Sequence, residues 1–253
     1  MADERPGAAC QASGVDPAQH RSGDPADVAG AYPPAALLDD PALLQRMVEL
    51  TGRRMRATSS GVRAGQLLDR HARVIAEAAS AHVAAGSGAD LAPERVVLHV
   101  LANGDVSHAD VPAGGPGERT ALAIALARDA AALHEPLVAA LALRRGRAAP
   151  VLWRTVGDRV AIALSAAVRA AGHGAEAPGL IAAVIAADPR YGKPRRTGVA
   201  RAEGAERPFL VRQGCCLSYR TVKDQPCFTC PLLDDEGRAE RLAEEVRAER
   251  SAG

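Results

Sequence analysis

Apolar residues recur along the chain with two different periods, and the changes of period mark its elements. From Pro41 onward Leu43, Leu44, Met47, Val48, Leu50 and Met55 fall at helical spacing, and Leu67, Leu68, His71, Val74, Ile75 and Ala78 repeat the pattern. That spacing gathers the apolar side chains on one stripe and predicts two amphipathic helices. Glu118 to Leu143 and Leu152 to Ala171 are rich in Ala, Leu and Ile with the same period. The first of these is expected to break at Pro136, because a proline ring and its missing N–H oppose a continuous helix. Gly179 to Ala187 adds a short helix. Val96 to Val111 reads differently: β-branched and apolar residues flank Asn103-Gly104, a dipeptide suited to the two positive-φ positions of a type I′ turn. A two-residue loop there sets Ala102 opposite Asp105 and His99 opposite His108.

The remaining stretches lack such periods. Residues 1–34 hold Gly, Pro, Ala, Asp and Ser without apolar periodicity and are expected to be disordered. Pro189 to Pro208 is rich in Gly, Pro and Arg and reads as a long connection. Asp234 to Arg250 carries acids and arginines three and four apart and reads as a solvated helix. The fold class that follows is predominantly helical α+β, a helix bundle with a small antiparallel hairpin sheet. Residues 35–207 form the helical domain, with its hairpin near 96–111. A cysteine-bearing segment spans 208–233, and a charged C-terminal helix spans 234–253.

Composition sharpens this picture. Apolar residues make up 47% of the 253 residues but aromatics only 2%, so Ala, Leu, Val and Ile must fill the interior by close approach of helices. With 31 basic and 30 acidic side chains the net charge is +1, which leaves no global field to draw in nucleic acid or an anionic membrane. No apolar run approaches the roughly 18 residues of a spanning helix, so no transmembrane segment is expected. Asp3 and Glu4 stand where a signal peptide would be basic, and the expected location is the cytoplasm. Thiols stay reduced there, and clustered cysteines bind metal more often than they pair.

Four of the five cysteines fall within sixteen positions: Cys215-Cys216, ten residues, then Cys227-Phe228-Thr229-Cys230. The second pair has the spacing at which two sulfurs reach one metal centre, with Pro226 and Pro231 stiffening the turn. Adjacent cysteines diverge and require a bent backbone, for which Gly214 supplies freedom. Diverging thiols suit a cluster better than a single ion, yet a structural zinc also takes four cysteines, and Cys227 with Cys230 could form a redox disulfide. Cys10 stands alone in the N-terminal tail and has no role in this group.

At these residues the chain resembles the FhuF-type ferric siderophore reductases, whose C-terminal signature is two adjacent cysteines, ten residues and a final Cys-x-x-Cys. Phe209-Leu-Val-Arg212, Tyr219-Arg220 and Cys230-Pro231-Leu232 around the cysteines agree with it, and Trp153 ahead of a small-residue helix fits more loosely. Residues 1–110 carry no part of the likeness. Gln213-Gly214 departs from it where an arginine and a serine would be expected. The resemblance implies a 2Fe-2S cluster on Cys215, Cys216, Cys227 and Cys230, and reduction of ferric siderophore iron in the cytoplasm. Reduction makes the ion softer and less charged, so the hard oxygen donors of a siderophore hold it less tightly. No flavin or nicotinamide motif is visible, so a separate ferredoxin, flavodoxin or reductase is the expected electron donor. An electron carrier serving another enzyme, or a zinc-held module for a protein partner, are the rival readings.

Three further features complete the candidate set. Phe209, Tyr219 and Phe228 can jacket the cysteines. Between Lys193 and Lys223 the basic residues Lys193, Arg195, Arg196, Arg201, Arg207, Arg212, Arg220 and Lys223 face only Glu203 and Glu206. Of these, Arg212, Arg220 and Lys223 are placed to tune a cluster or attract an anionic chelate. His99 opposite His108 makes a two-histidine ligand pair for which the sequence supplies no third partner, and chance pairing is the plainer reading. His71 and His82, three turns apart on one helix face, read as ordinary surface or boundary residues.

Overall fold

Asp40, Ser59 and Glu118 each set the start of a helix in the computed structural model, which describes residues 28–252. The Asp40 carboxylate accepts from the Ala42 and Leu43 N–H groups at 2.9 and 3.1 Å, and Ser59 and Glu118 accept from Val62 and Ala121. Each satisfies a donor that the first helical turn leaves without an intrahelical acceptor. Strand β1 (Gly30–Tyr32) is followed by α1 (Ala36–Asp39), α2 (Pro41–Arg54), α3 (Ser60–Ala84) and β2 (Ser87–Ala89). Next come β3 (Val97–Val100), β4 (Val106–Asp110), β5 (Ala113–Pro116), α4 (Arg119–Arg145) and α5 (Ala149–Ala170). The chain ends with α6 (Ala177–Ala187), β6 (Thr197–Ala202), β7 (Ala205–Leu210) and α7 (Asp235–Ala252).

The predominantly helical α+β expectation is met. α3 packs along α5 and also touches α2, α4 and β4, while α6 closes over α4 and α5. The core alternates large and small side chains: Leu67, Leu68, Ile75, Leu141, Leu152 and Leu164 are fully buried beside Ala79, Ala127, Ala131 and Ala161. Alanines at these contacts let helix axes approach closely enough to exclude water without aromatic filler. Among the described residues three antiparallel sheets flank the bundle, ordered β1-β3-β4, β2-β5 and β6-β7.

Several expectations are corrected. Pro136 lies inside α4, which runs on unbroken. Pro136 and Ala132 are both on the exposed face, so the carbonyl that proline cannot engage is open to water. Of the segment read as disordered, Val28 is buried and Gly30–Tyr32 pair with Val100–Leu98, so the chain is docked from Val28 onward. Cys10 and the rest of that segment lie outside the described residues.

The first hairpin forms, but not on the expected turn. Leu101, not Ala102, faces Asp105: Leu101 N–H donates to the Asp105 carbonyl at 2.9 Å and Gly104 N–H to the Leu101 carbonyl at 2.8 Å. Only Gly104 of the dipeptide has positive φ, +76°, which is a three-residue loop ending in a left-handed glycine. His99 nevertheless pairs with His108, because β4 carries one extra residue: Val100 faces Val106, His99 faces His108, and Ser107 is the bulge between them.

The supposed connection before Pro208 is in fact the β6-β7 hairpin. Its turn residues Glu203 and Gly204 have φ of +52° and +74°, the pair of left-handed positions that Asn103-Gly104 lacks. Counted from that turn, Pro208 falls at a non-hydrogen-bonded position opposite Val199, where its missing N–H costs no ladder bond. α7 is likewise more than a solvated helix. Leu242 and Val246 are buried against β6 together with Phe209 and Phe228. Arg238, facing the cysteine segment, is 1% exposed.

Candidate metal centre

β7 leads directly into the cysteine segment, and the backbone there folds back on itself. Arg212 N–H donates to the Thr229 carbonyl at 3.0 Å, laying the Cys-x-x-Cys turn beside the chain that enters Cys215. Within that turn Cys230 N–H donates to the Cys227 carbonyl at 2.8 Å. After the adjacent pair, Leu217 takes a left-handed conformation, φ +57°, and a 3₁₀ turn over Ser218–Arg220 carries the chain round. Val222 N–H then donates to the Met55 carbonyl at 2.8 Å, tying the intervening loop to the end of α2.

Each cysteine pair is held by its own arginine. Arg147, past the end of α4, donates to the Cys215 carbonyl, and Gln66 of α3 donates to the Cys216 carbonyl at 2.5 Å. On the other side Arg238 donates to the carbonyls of Phe228, Cys230 and Leu233 at 2.8, 2.9 and 2.7 Å. Its guanidinium also lies over the Phe209 ring, which meets Phe228 edge-on at 5.9 Å. All four thiols are free; Cys216 and Cys230 are buried, and Cys215 and Cys227 are half-buried.

The Cys216 and Cys227 thiols influence each other's ionisation across the two turns. The neighbouring Cys227 thiol holds Cys216 well below the ordinary thiol value against the effect of burial, and Arg212 assists. Cys216 in turn pushes Cys227 up, with burial adding to it. Among the described residues, the hydrogen bond made by the Cys227 sulfur is to Thr229 Oγ1, at 3.7 Å. Burial pushes Cys215 up as well, and the nearby charges of Cys230 and Cys216 add to the rise. The sulfurs are therefore close enough to repel one another once ionised, and a cation between them would remove that repulsion.

Behind the cysteines lies a buried ionic lattice that the sequence reading did not foresee. Asp158 of α5, with no solvent exposure, accepts from Arg195 Nε at 2.6 Å and from the backbone N–H groups of Gly214 and Gln213 at 2.7 and 3.0 Å. Asp69 of α3 accepts from Arg212 Nη2 at 2.6 Å and from Arg159 Nε at 2.9 Å. Burial alone would raise Asp69, but Arg212 and Arg159 outweigh it and hold the carboxyl well below the usual carboxylate range. Arg212 is 2% exposed and bridges the two aspartates, its Nε 3.7 Å from Asp158 Oδ2. Two helices in the centre of the fold thereby fix the loop that presents Cys215 and Cys216.

The basic run reads differently once these partners are in place. Arg195 belongs to Asp158, Arg196 to Asp235 and Arg212 to Asp69, all carboxylates outside the run itself. Arg212 lies close enough to Cys216 and Cys227 to feel their charge, whereas Arg220 and Lys223 are exposed. Arg147, Gln66, Asp69, Asp158 and Arg238 were absent from the sequence-derived set. A lone aspartate inside an Ala/Leu stripe, as at Asp69 and Asp158, is the signal that could have found two of them. His71 and His82 do not act together: His71 is buried against His134, and His82 Nε2 meets the Val111 carbonyl at 2.9 Å.

Gly214 has a different reason from the one its position suggested. Its φ is not positive; rather, a Cβ there would meet the Thr155 backbone nitrogen at 2.5 Å and Thr155 Oγ1 at 2.6 Å. Gly214→Ala must therefore push the cysteine loop off α5, at a cost of about 1–3 kcal/mol. Urea unfolding would measure this loss, and faster alkylation of Cys215 in the variant would show that the loop has moved.

No protein-family model, curated protein or solved structure matches this chain.

Proposed function

We propose that Cys215, Cys216, Cys227 and Cys230 hold a 2Fe-2S cluster and that the protein reduces ferric siderophore iron by one electron. The observation that carries this reading is that the Arg212 N–H to Thr229 carbonyl bond lays the Cys-x-x-Cys turn beside the Cys-Cys turn, with all four thiols free and Arg147 and Arg212 close behind them. Four sulfur donors suit iron–sulfur clusters and zinc and little else. Cys216 and Cys227 affect each other's ionisation, and Cys215 feels the charges of Cys230 and Cys216, so the four sulfurs act as one electrostatic group of the kind that two irons with two thiolates each require. Bound there, the cluster supplies a centre that takes up and gives up a single electron.

The protein's own groups perform three tasks in this scheme. Arg238 and Arg147 fix the carbonyls beside the ligands, so the sulfurs are presented without reorganisation. Phe209 and Phe228 pack edge-on against each other and with Leu242 and Val246, which seats the Cys-x-x-Cys turn on α7. Arg147 and Arg212 place positive charge next to thiolates, which offsets the charge gained on reduction. In the overall reaction an external donor, a ferredoxin, flavodoxin or reductase, loses one electron and the ferric chelate gains it, leaving Fe(II) in weaker association with its oxygen donors. Exposed Arg220 and Lys223 lie on the loop between the two cysteine pairs, where an anionic chelate would approach.

Anaerobic purification tests the reading. The expected protein is red-brown, with iron and acid-labile sulfide, and each of the four Cys→Ser variants loses the colour and most of the iron. It is expected to reduce a ferric trihydroxamate with dithionite as electron source, read out by a ferrous chelator. A colourless protein that carries zinc overturns the proposal. Coloured protein with no chelate turnover would leave an electron carrier in its place. Arg147→Gln removes a charge beside Cys215 without breaking the Asp69 and Asp158 pairs, and is expected to lower the reduction potential by tens of millivolts, on the order of the screened interaction of two charges. Potentiometry checks it, and a potential that does not move would show that solvent screens the guanidinium.

A further inference from the structure

The β-bulge at Ser107 has a consequence for side-chain direction. Val106 faces the core, and strict alternation would send His108 and Asp110 inward after it. The extra residue reverses that parity, so His108 and Asp110 both emerge on the outer face of the β1-β3-β4 sheet, where His99 emerges from the neighbouring strand. Arg70 of α3 ties the bulge down by donating to the Val106 carbonyl at 2.7 Å, and Ser107 Oγ donates to the His99 carbonyl at 3.0 Å. The His99 and His108 rings lie parallel with centroids 4.1 Å apart. His99 Nε2 is 2.7 Å from Asp110 Oδ2, and one ligand atom from each of the three residues lies within 4.8 Å of the other two.

The hydrogen bonds also set which nitrogen is free. Because the Ser107 hydroxyl gives its proton to the His99 carbonyl, its oxygen accepts from His108 Nδ1 at 2.9 Å. That leaves the His108 Nε2 lone pair open, in the way an outer hydrogen bond fixes the tautomer of a metal-binding imidazole. The third member is a carboxylate already hydrogen-bonded to His99, so an ion replaces the proton between them. Bonds of about 2.0–2.2 Å to nitrogen and oxygen would set the donors roughly 3.3 Å apart, which small rotations of exposed side chains can reach.

The structure assigns to His99, His108 and Asp110 a binding site for a divalent first-row transition ion on the outer face of the sheet, with its remaining coordination positions open to solvent. Two imidazoles and one carboxylate suit Zn²⁺, Fe²⁺, Co²⁺ or Ni²⁺ and disfavour Mg²⁺ and Ca²⁺, which need oxygen donors. The site is separate from the cysteines and does not depend on the reading given to them.

Co²⁺ tests it on the full chain, because a histidine and carboxylate site gives only weak d–d absorption, whereas thiolate-bound cobalt adds an intense charge-transfer band. One equivalent without the sulfur band is expected. His99→Ala and His108→Ala should abolish that equivalent, and Asp110→Asn should weaken it by roughly tenfold or more. Cys215→Ser should leave it unchanged. Circular dichroism of the three variants should match the parent, since the replaced side chains face solvent. Absence of a sulfur-free equivalent in the parent, or its survival in all three variants, would overturn the assignment.

Discussion

Asp158→Ala is expected to lower the stability of the protein by about 3–5 kcal/mol, the range seen when one partner is removed from a buried ionic pair. The carboxylate is wholly buried, and every group it meets is a donor: Arg195 Nε, the N–H groups of Gln213 and Gly214, and Arg212 within 3.7 Å. Burial on its own pushes Asp158 up, with Arg195 and Arg212 acting against it. A group that accepts from donors only is nevertheless held as the anion in this geometry. Alanine would leave two guanidiniums without that counter-charge and two buried backbone donors unsatisfied. Asp158→Asn keeps one accepting oxygen and should fall between the two. Urea titrations of the three proteins give the ordering, and the rate of Cys215 alkylation should rise in the same order as the loop anchored through Gly214 loosens. A loss below about 1 kcal/mol for alanine would mean that Arg195 and Arg212 find other partners, and that Asp158 does not hold the cysteine loop.

How much of this was legible beforehand depends on how far each determinant lies along the chain. The stripes that became α2, α3, α4 and α5 are local, and burial of one face is enough to specify them. β1 was missed because three residues, Gly30 to Tyr32, carry no period, and only the facing strand Val97–Val100 makes them a strand. β6 and β7 were missed because Gly198 and Pro208 read as breakers, although the pairing register places the proline where no hydrogen bond is required. The first hairpin departs from expectation in two local ways that cancel: a turn one residue longer than expected and a one-residue bulge at Ser107 restore His99 opposite His108. α7 presents only Leu242 and Val246 to the hairpin, too thin a stripe to stand out among its charges.

The cysteines were legible because their spacing is itself the signal, and Arg212 because it is adjacent to them. What holds them was not. Gln66 lies 150 positions from Cys216 and Arg147 lies 68 from Cys215, so these contacts exist only after α3, α4 and α5 have packed. The basic excess near the cysteines was counted without Asp69, Asp158 and Asp235, which supply its counter-charge from other parts of the chain. Counting charges in a window measures a field only where tertiary structure brings no others in.

The second large effect lies in the core between α3 and α4, and it should appear as a loss of stability in mild acid. His134 Nδ1 donates to the Ala130 carbonyl at 2.7 Å, so its Nε2 carries the lone pair and accepts from His71 Nδ1 at 3.2 Å. Both rings are therefore neutral, and His71 Nε2 is buried without a hydrogen-bond partner among the described residues. Burial pushes His134 down to about 4 from 6.5, and burial followed by repulsion from His134 pushes His71 well below 6.5. The unfolded chain takes up these protons as pH falls through about 6.5, whereas in the native chain His134 does not until about 4 and His71 stays neutral well below 6.5. Stability is therefore complete above pH 6.5 and declines across the window from 6.5 to 4, by about 3 kcal/mol for His134 alone and by more with His71. Asp69 cannot account for such a loss, because a carboxyl held below its ordinary range begins to cost stability only below about pH 4. Urea unfolding at intervals from pH 7.5 to 4.5 measures the slope, expected at roughly 1.4 kcal/mol per pH unit for each histidine. Replacing both residues, His71→Leu with His134→Leu, removes donor and acceptor together and should change the stability at pH 7.5 little. The same double variant should flatten the acid slope, and an undiminished slope would show that the protons are taken up elsewhere.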